Sequence, residues 1–203
     1  MTAGLEASAR DAIRALSHRL DQAANTTPAI TSHFRIAGVP VTIHTTAGSG
    51  ADQLLAACEP LRTAANDSSA PALDLHIWNG ATDDVALLDS DVLRRADSPA
   101  EGLGGFSDAT SSAFYQPDSG VLSILDIALR RAHWWLADMA SVPYYERAAP
   151  FKHILQWWVA SRGGALLHSA AIGCRDPNDR RGLLVSGPSG SGKSSTALAC
   201  LAD

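Results

Sequence analysis

The sequence predicts an α/β protein in which a smaller α+β domain precedes a terminal strand–loop–helix unit. Apolar and polar residues alternate in several short segments, which is typical of strands, and other segments repeat apolar residues at steps of three and four, as helices do. The chain ends with an apolar strand, a Gly/Ser-rich loop and a helix in direct succession. We therefore expect an α+β domain at residues 1–140 and a second domain at residues 141–203.

The first half of the chain begins with an amphipathic pattern. Leu5, Ala9, Ala12, Leu16 and Leu20 share one helical face, which predicts a helix over residues 3–24. The segments that follow are, in order, a linker (25–32), a hairpin turning at Gly38-Val39-Pro40 (33–46), a helix kinked or ended by Pro60 (51–65), a strand (72–78) and a polar stretch (79–112) that includes an exposed loop (97–112).

The second half shows the same alternation of strand and helix signals. The predicted elements are a hairpin around Pro117-Asp118-Ser119-Gly120 (113–125), a segment that fits either a strand or a helix (131–138), a helix ended by Gly163-Gly164 (151–162), two strands (165–172 and 182–186) joined by a turn (173–181), and a last helix (195–203).

Two tryptophan pairs, Trp134-Trp135 and Trp157-Trp158, interrupt these patterns. Neighbouring side chains diverge by about 100° on a helix and point to opposite faces on a strand. One ring of each pair is therefore expected in the core. The other is expected to cover a neighbouring element, with a docking surface as the alternative.

Composition limits the possible functions. The chain has 203 residues, of which 46% are hydrophobic and 18% charged, and its net charge is −5. It lacks the Lys/Arg cluster of a nucleic-acid binder, a signal peptide and a membrane-spanning apolar run, so we expect a cytoplasmic protein. Cys58, Cys174 and Cys200 are far apart, which argues against a disulfide framework or a structural zinc site. The histidines 18, 33, 44, 76, 133 and 153 show no metal-ligand spacing.

The strongest chemical signal is the segment from Gly187 to Ser194, which satisfies the phosphate-loop pattern G-x-x-x-x-G-K-[ST]. In a chain of this composition the pattern would arise by chance about 0.002 times. The loop residues expected to hold a nucleotide are Gly187, Pro188, Ser189, Gly190, Ser191, Gly192, Lys193, Ser194 and Ser195.

Each residue type in this loop suits a triphosphate with a magnesium ion. Glycines allow successive backbone N–H groups to face an anion, and the helix that follows adds its N-terminal donors. Lys193 is the cation for the β- and γ-phosphates, and the Ser194 hydroxyl is a hard oxygen ligand for Mg²⁺. The sequence therefore predicts binding of ATP with Mg²⁺.

Residues 167–173 (LHSAAIG) and 182–194 (GLLVSGPSGSGKS) together resemble the start of the catalytic domain of the HPr serine kinase family. The resemblance implies a phosphoenolpyruvate-carboxykinase-like fold and transfer of the γ-phosphoryl of ATP to a serine of a protein or peptide. It also implies that His168 lies in the active site near the transferred phosphate. Residues 144–164 resemble the family loosely, and residues 1–140 do not resemble it.

In this family, a catalytic acid follows the phosphate loop on a later strand, whereas the sequence ends ten residues after Lys193. The sequence is accordingly expected to be an N-terminal fragment that, taken alone, binds nucleotide weakly or not at all and does not catalyse transfer. Apolar faces are expected to be exposed where further strands would pack. Asp203, at the far end of the last helix, is a poor substitute for the acid, and the pair Asp83-Asp84 is more simply interpreted as part of a solvated loop.

Two other functions remain open. One is a nucleotide-dependent regulatory or interaction module that binds ATP without transferring phosphate. The other is a transport ATPase of the ABC type, which shares the GPSGSGKSS string but does not suit the long region before the loop. The phospho-acceptor is not specified by the sequence, and a homo-oligomer also remains open.

Overall fold

The computed structural model describes residues 2–64, 73–83, 85, 105–107, 109–174, 176 and 181–202. The chain forms two compact units, Met1–Gly164 and Ala165–Asp203. The sequence placed a domain boundary after residue 140, whereas the units in the structure meet after Gly164. Residues 141–164 belong to the first unit because Phe151, Ile154 and Trp158 are buried in its core.

In the described part of the first unit, seven strands form one mixed sheet. Its elements are α1 (Thr2–Thr26), β1 (Ala29–Ile36), β2 (Val39–Thr46), α2 (Asp52–Leu55), β3 (Leu73–Asn79), β4 (Gly105–Ser107), β5 (Ser111–Gln116), β6 (Val121–Asp126), β7 (Arg131–Leu136), α3 (Tyr144–Ala148) and α4 (Lys152–Ser161). The strand order is β1-β2-β3-β7-β6-β5-β4. The β2–β3 and β3–β7 pairs are parallel, and the other pairs are antiparallel.

Side-chain alternation along the strands gives the sheet two buried faces. On one face, strand residues such as Ile43, Leu75 and Trp134 pack with Leu54 of α2 and Ile154 of α4. On the other face, α1 is the covering helix. Its Leu16 and Leu20 pack with Trp78, Leu122, Ile124 and Trp135. The sheet is therefore the middle layer of this unit, with helices on both sides.

The tryptophan prediction is confirmed for both pairs. Trp134 and Trp135 lie on β7, and each is buried on a different face of the sheet. Trp158 is buried on α4, and Trp157 is partly buried against the same core. Trp135 and Trp157, the other ring of each pair, thus pack within the protein.

Most of the predicted elements are present, with some corrections. The first hairpin turns at Ala37-Gly38, where φ is 51° and 76°, rather than at Gly38-Val39-Pro40. The predicted linker 25–32 is mostly regular structure, because α1 continues to Thr26 and β1 begins at Ala29. Pro60 lies inside the 3-10 helix Ala56–Leu61, so the α-helix predicted for 51–65 ends at Leu55.

Three further segments of this unit also had predicted structures. Residues 131–138, which fitted either a strand or a helix, contain strand β7. Within the predicted exposed loop 97–112, residues 105–107 form β4 and residue 111 begins β5. Residues 97–104 and 108 lie outside the described residues. The last helix of the unit, α4, ends before Gly163, whose φ of 77° is the left-handed conformation that glycine adopts after a helix.

The second unit contains β8 (Ser169–Gly173), β9 (Gly182–Ser186) and α5 (Lys193–Ala202). β8 and β9 form an antiparallel pair, and α5 packs against both strands. The strand predicted for 165–172 begins only at Ser169, and the last helix begins at Lys193 rather than at residue 195. Leu183, Leu184 and Leu198 are more than half exposed, as the sequence predicts for apolar faces of this unit.

In both units, the part of the chain that the structure describes contains no helix of the length and hydrophobicity needed to cross a bilayer.

Candidate functional site

The predicted phosphate loop lies between β9 and α5. Its backbone turns, because the N–H of Ser191 donates to the carbonyl of Pro188 at 3.2 Å. The first turn of α5 closes where the N–H of Thr196 donates to the carbonyl of Gly192 at 2.9 Å. Strand, loop and helix therefore follow one another as the sequence pattern predicts, and the loop is compact rather than extended.

Three glycines of the motif occupy positions that disfavour a side chain. Gly190 and Gly192 have φ angles of 78° and 84°, in the left-handed region that glycine adopts without steric cost. A Cβ at Gly187 would lie 2.8 Å from Oγ of Ser191, so this hydroxyl would have to move to accommodate a side chain. The glycine spacing of the motif thus has a local steric reason in this fold.

Lys193 is the first residue of α5, and its side chain folds back so that the ammonium group contacts the loop. Its Nζ donates hydrogen bonds to the carbonyls of Gly187 at 2.9 Å and Pro188 at 2.8 Å. The side chain is partly buried in this arrangement. A positive charge is therefore held beside the N-terminus of a ten-residue helix, where the backbone donors also favour an anion.

The hydroxyl residues of the loop are accessible. Ser194 and Ser195 lie in the first turn of α5, and Ser189 and Ser191 lie in the loop itself. All four are exposed. A hydroxyl in the first helical turn, next to an anion site, suits a hard cation such as Mg²⁺. Magnesium usually also needs a carboxylate. Among the described residues of the second unit, the one carboxylate is Asp176, in the turn at the other end of the β8–β9 hairpin.

His168 lies immediately before β8 rather than within a strand, and it is exposed. The hairpin pairs Ser169 with Ser186, so continuing its register by one residue places His168 opposite Gly187, the first residue of the loop. The structure thus brings the sequence-predicted histidine to the end of the hairpin that carries the phosphate loop.

Comparison of the chain with protein-family models, with curated proteins and with solved structures found no match.

A second constellation, which sequence reasoning missed, lies in the first unit on the sheet face that α1 covers. His44, His76 and His133 are direct neighbours across β2, β3 and β7. The ring centroids of His44 and His76 are 4.5 Å apart and those of His76 and His133 are 5.5 Å apart. We call these three residues the histidine row.

Two carboxylates contact the row. Asp74 Oδ1 lies 2.6 Å from Nε2 of His44, and Asp74 Oδ2 lies 3.6 Å from Nε2 of His76. Burial opposes the ionisation of Asp74, but these two histidines outweigh burial and hold the pKa of its carboxyl well below the usual range. Asp21 of α1 accepts hydrogen bonds from His133 Nε2 and Arg131 Nη1, each at 3.0 Å.

His133 is a neutral structural histidine. Trp78 Nε1 donates to its Nδ1 at 3.3 Å, so the ring proton is on Nε2, which donates to Asp21. Burial lowers the pKa of His133 because a charged imidazolium would lose its hydration. The sequence contains one weak signal for the constellation: Asp74 and His76 are two residues apart on a strand and share a face. The partnership with His44 depends on strand register, which the sequence does not reveal.

Proposed function

We propose that this chain is the ATP-binding part of an HPr kinase-like enzyme, with a phosphoenolpyruvate-carboxykinase-like fold, that transfers the γ-phosphoryl of ATP to a serine hydroxyl of a protein or peptide. The observation that carries the proposal is the conformation of residues 187–194. The two left-handed glycines and the lysine folded over the loop suit this segment to a polyphosphate rather than to an ordinary surface turn.

The donor set fits a triphosphate. The N-terminal N–H groups of α5 have no carbonyl partner within the helix, and the helix dipole adds partial positive charge at the same place. Lys193 already bonds to two loop carbonyls, which a phosphate oxygen can replace as acceptor. Because a phosphate oxygen carries a negative charge and a carbonyl oxygen only a partial one, the ammonium group binds the phosphate more strongly, and this exchange favours the bound nucleotide.

The proposed roles follow from these positions. Lys193 and the loop N–H groups stabilise the negative charge that develops as the phosphoryl group moves. Ser194 would hold Mg²⁺, which supplies charge neutralisation at the phosphates when bound. His168, at the same end of the hairpin as Gly187, is proposed to contact the transferred phosphate.

The test measures binding of ATP with Mg²⁺ by isothermal titration calorimetry to the longest form of the protein that can be produced, for the parent and for Lys193→Ala. Removing a charge-assisted hydrogen bond costs about 1.5–3 kcal/mol, so the dissociation constant should rise by about 10- to 150-fold. Arg147→Ala is the control, because it removes one positive charge from an exposed position on α3. Equal binding by the parent and Lys193→Ala would refute the proposed role of the loop.

Transfer is tested separately, with γ-labelled ATP and serine-containing peptides, on the longest form of the protein that can be produced. Label on a serine supports the kinase. Lysine-dependent ATP binding without label in any acceptor would instead support the regulatory module. Circular dichroism of each variant checks that a loss of binding does not reflect unfolding.

A further inference from the structure

The sheet face under α1 is apolar near β6 and β7 and becomes polar towards β1 and β2. The histidine row extends from the apolar part of this face into the polar part. Trp78, Leu122 and Trp135 form the apolar part of the face, where α1 packs. His44, Asp74 and His76 lie at the polar end, where their side chains are 21%, 33% and 12% exposed. Solvent therefore reaches all three groups, although each is largely packed.

One ligand atom from each of these residues lies within 4.8 Å of the other two. Strand geometry explains the convergence. His44 and His76 are register partners on β2 and β3, and their rings stack with an interplanar angle of 18°. Asp74 precedes His76 by two residues, so its carboxylate lies on the same face. Both Nε2 atoms consequently approach the carboxylate of Asp74.

The distances suit a small cation with bonds of about 2 Å. Ligand atoms around a tetrahedral zinc ion lie about 3.3 Å apart. The Nε2 of His76 is 3.6 Å from Asp74 Oδ2, which is too long for a hydrogen bond and near this separation. The 2.6 Å contact between His44 and Asp74 is a hydrogen bond in which a metal ion would replace the proton.

A neighbouring hydroxyl can orient His44 for such an ion. Thr31 Oγ1 lies 3.1 Å from Nδ1 of His44. When the hydroxyl accepts a hydrogen bond from Nδ1–H, the ring is in the tautomer whose Nε2 lone pair is free on the side of Asp74 and His76. This is the outer hydrogen bond that metal-binding histidines make. His133 differs, because Trp78 and Asp21 occupy both of its nitrogens.

We propose that His44, Asp74 and His76 form a binding site for a divalent transition-metal ion, with Zn²⁺ as the probe. Two imidazoles and one carboxylate are ligands that zinc accepts readily, and three protein ligands leave a position for water. The carboxylate also balances part of the charge of the ion. The site uses residues of the first unit alone, so it does not depend on the proposed nucleotide function.

The experiment titrates Zn²⁺, and Co²⁺ as a coloured substitute, into a tag-free chain carrying Cys174→Ser and Cys200→Ser. These two exposed cysteines would otherwise compete as thiolate ligands. One equivalent of Zn²⁺ should bind. Asp74→Asn and His76→Gln should each raise the dissociation constant at least tenfold, and His18→Gln, at an exposed position on α1, should leave it unchanged.

Proton NMR of the histidine rings gives a readout that does not depend on variants. Zn²⁺ should shift the ring signals of His44 and His76 strongly and those of His18 and His153 hardly at all. A chain that takes up no stoichiometric Zn²⁺, or one in which Asp74→Asn and His76→Gln bind like the parent, would overturn the proposal. Tryptophan fluorescence confirms that each variant is folded before titration.

Discussion

Asp21→Ala is expected to destabilise the first unit far more than the loss of a partly exposed carboxylate would suggest. Asp21 is the contact through which α1 satisfies the polar atoms of β7, since its Oδ1 accepts hydrogen bonds from His133 and Arg131. His133 is 1% exposed, and its other nitrogen is already occupied by Trp78. Without the carboxylate, the Nε2–H of His133 keeps no acceptor among its described contacts.

The magnitude follows from these two contacts. Leaving a buried donor without a partner costs about 1–3 kcal/mol. The ion pair with Arg131, whose side chain is 35% exposed, adds less than about 1 kcal/mol because solvent screens it. We therefore expect Asp21→Ala to lower the free energy of unfolding by about 2 kcal/mol, with a range of about 1 to 4 kcal/mol. Asp21→Asn should lose less, because an amide oxygen still accepts from His133.

Urea denaturation followed by tryptophan fluorescence measures this change in the relevant unit, because all five tryptophans of the chain precede residue 164. Asp11→Ala is the matched control: it removes an aspartate from an exposed position of the same helix and should change the unfolding free energy by less than about 0.5 kcal/mol. If Asp21→Ala and Asp11→Ala had equally small effects, the inferred dependence of His133 on α1 would be refuted.

Two further predictions concern α4 and the residue that precedes it. Phe151→Ala should lower the free energy of unfolding by about 3–5 kcal/mol in the same assay. The reason is that Phe151 is fully buried and packs edge-on against Trp134, with the two ring centroids 4.9 Å apart. Tyr144→Ala, at a 77% exposed aromatic residue, is its control, and a similar loss in both would contradict the reasoning. For His153, burial and then the charge of Lys152 lower the pKa, so its NMR titration should have a midpoint below the ordinary value of about 6.5. Because the pKa is lower in the folded state, the contribution of neutral His153 to the free energy of unfolding is fully present above about pH 6.5 and decreases as the pH falls. His153→Gln should reduce the loss of unfolding free energy at low pH. A titration midpoint of His153 at or above 6.5 would contradict the prediction.

Local sequence patterns predicted the parts of the molecule that local forces define. The phosphate loop is the clearest case, since Gly190 and Gly192 stand where the backbone adopts positive φ. Helix α1 and the two hairpins were likewise predicted from periodicity and turn residues, because each buries one face of a short segment. The predicted linker 25–32 was wrong because polar residues at a strand edge, such as Thr31, look the same in sequence as a loop.

The sequence by itself determined that the chain is α/β, that it ends in a strand, a phosphate-loop motif and a helix, and that Trp134 and Trp135 would face opposite ways if they lay on a strand. Tertiary structure alone decided where the first unit ends and which histidines meet. His44, His76 and His133 are far apart in the chain, and only the parallel pairing of β2, β3 and β7 makes them neighbours. Strand register is set by the packing of whole faces against α1 and α4. No local pattern around a histidine encodes it.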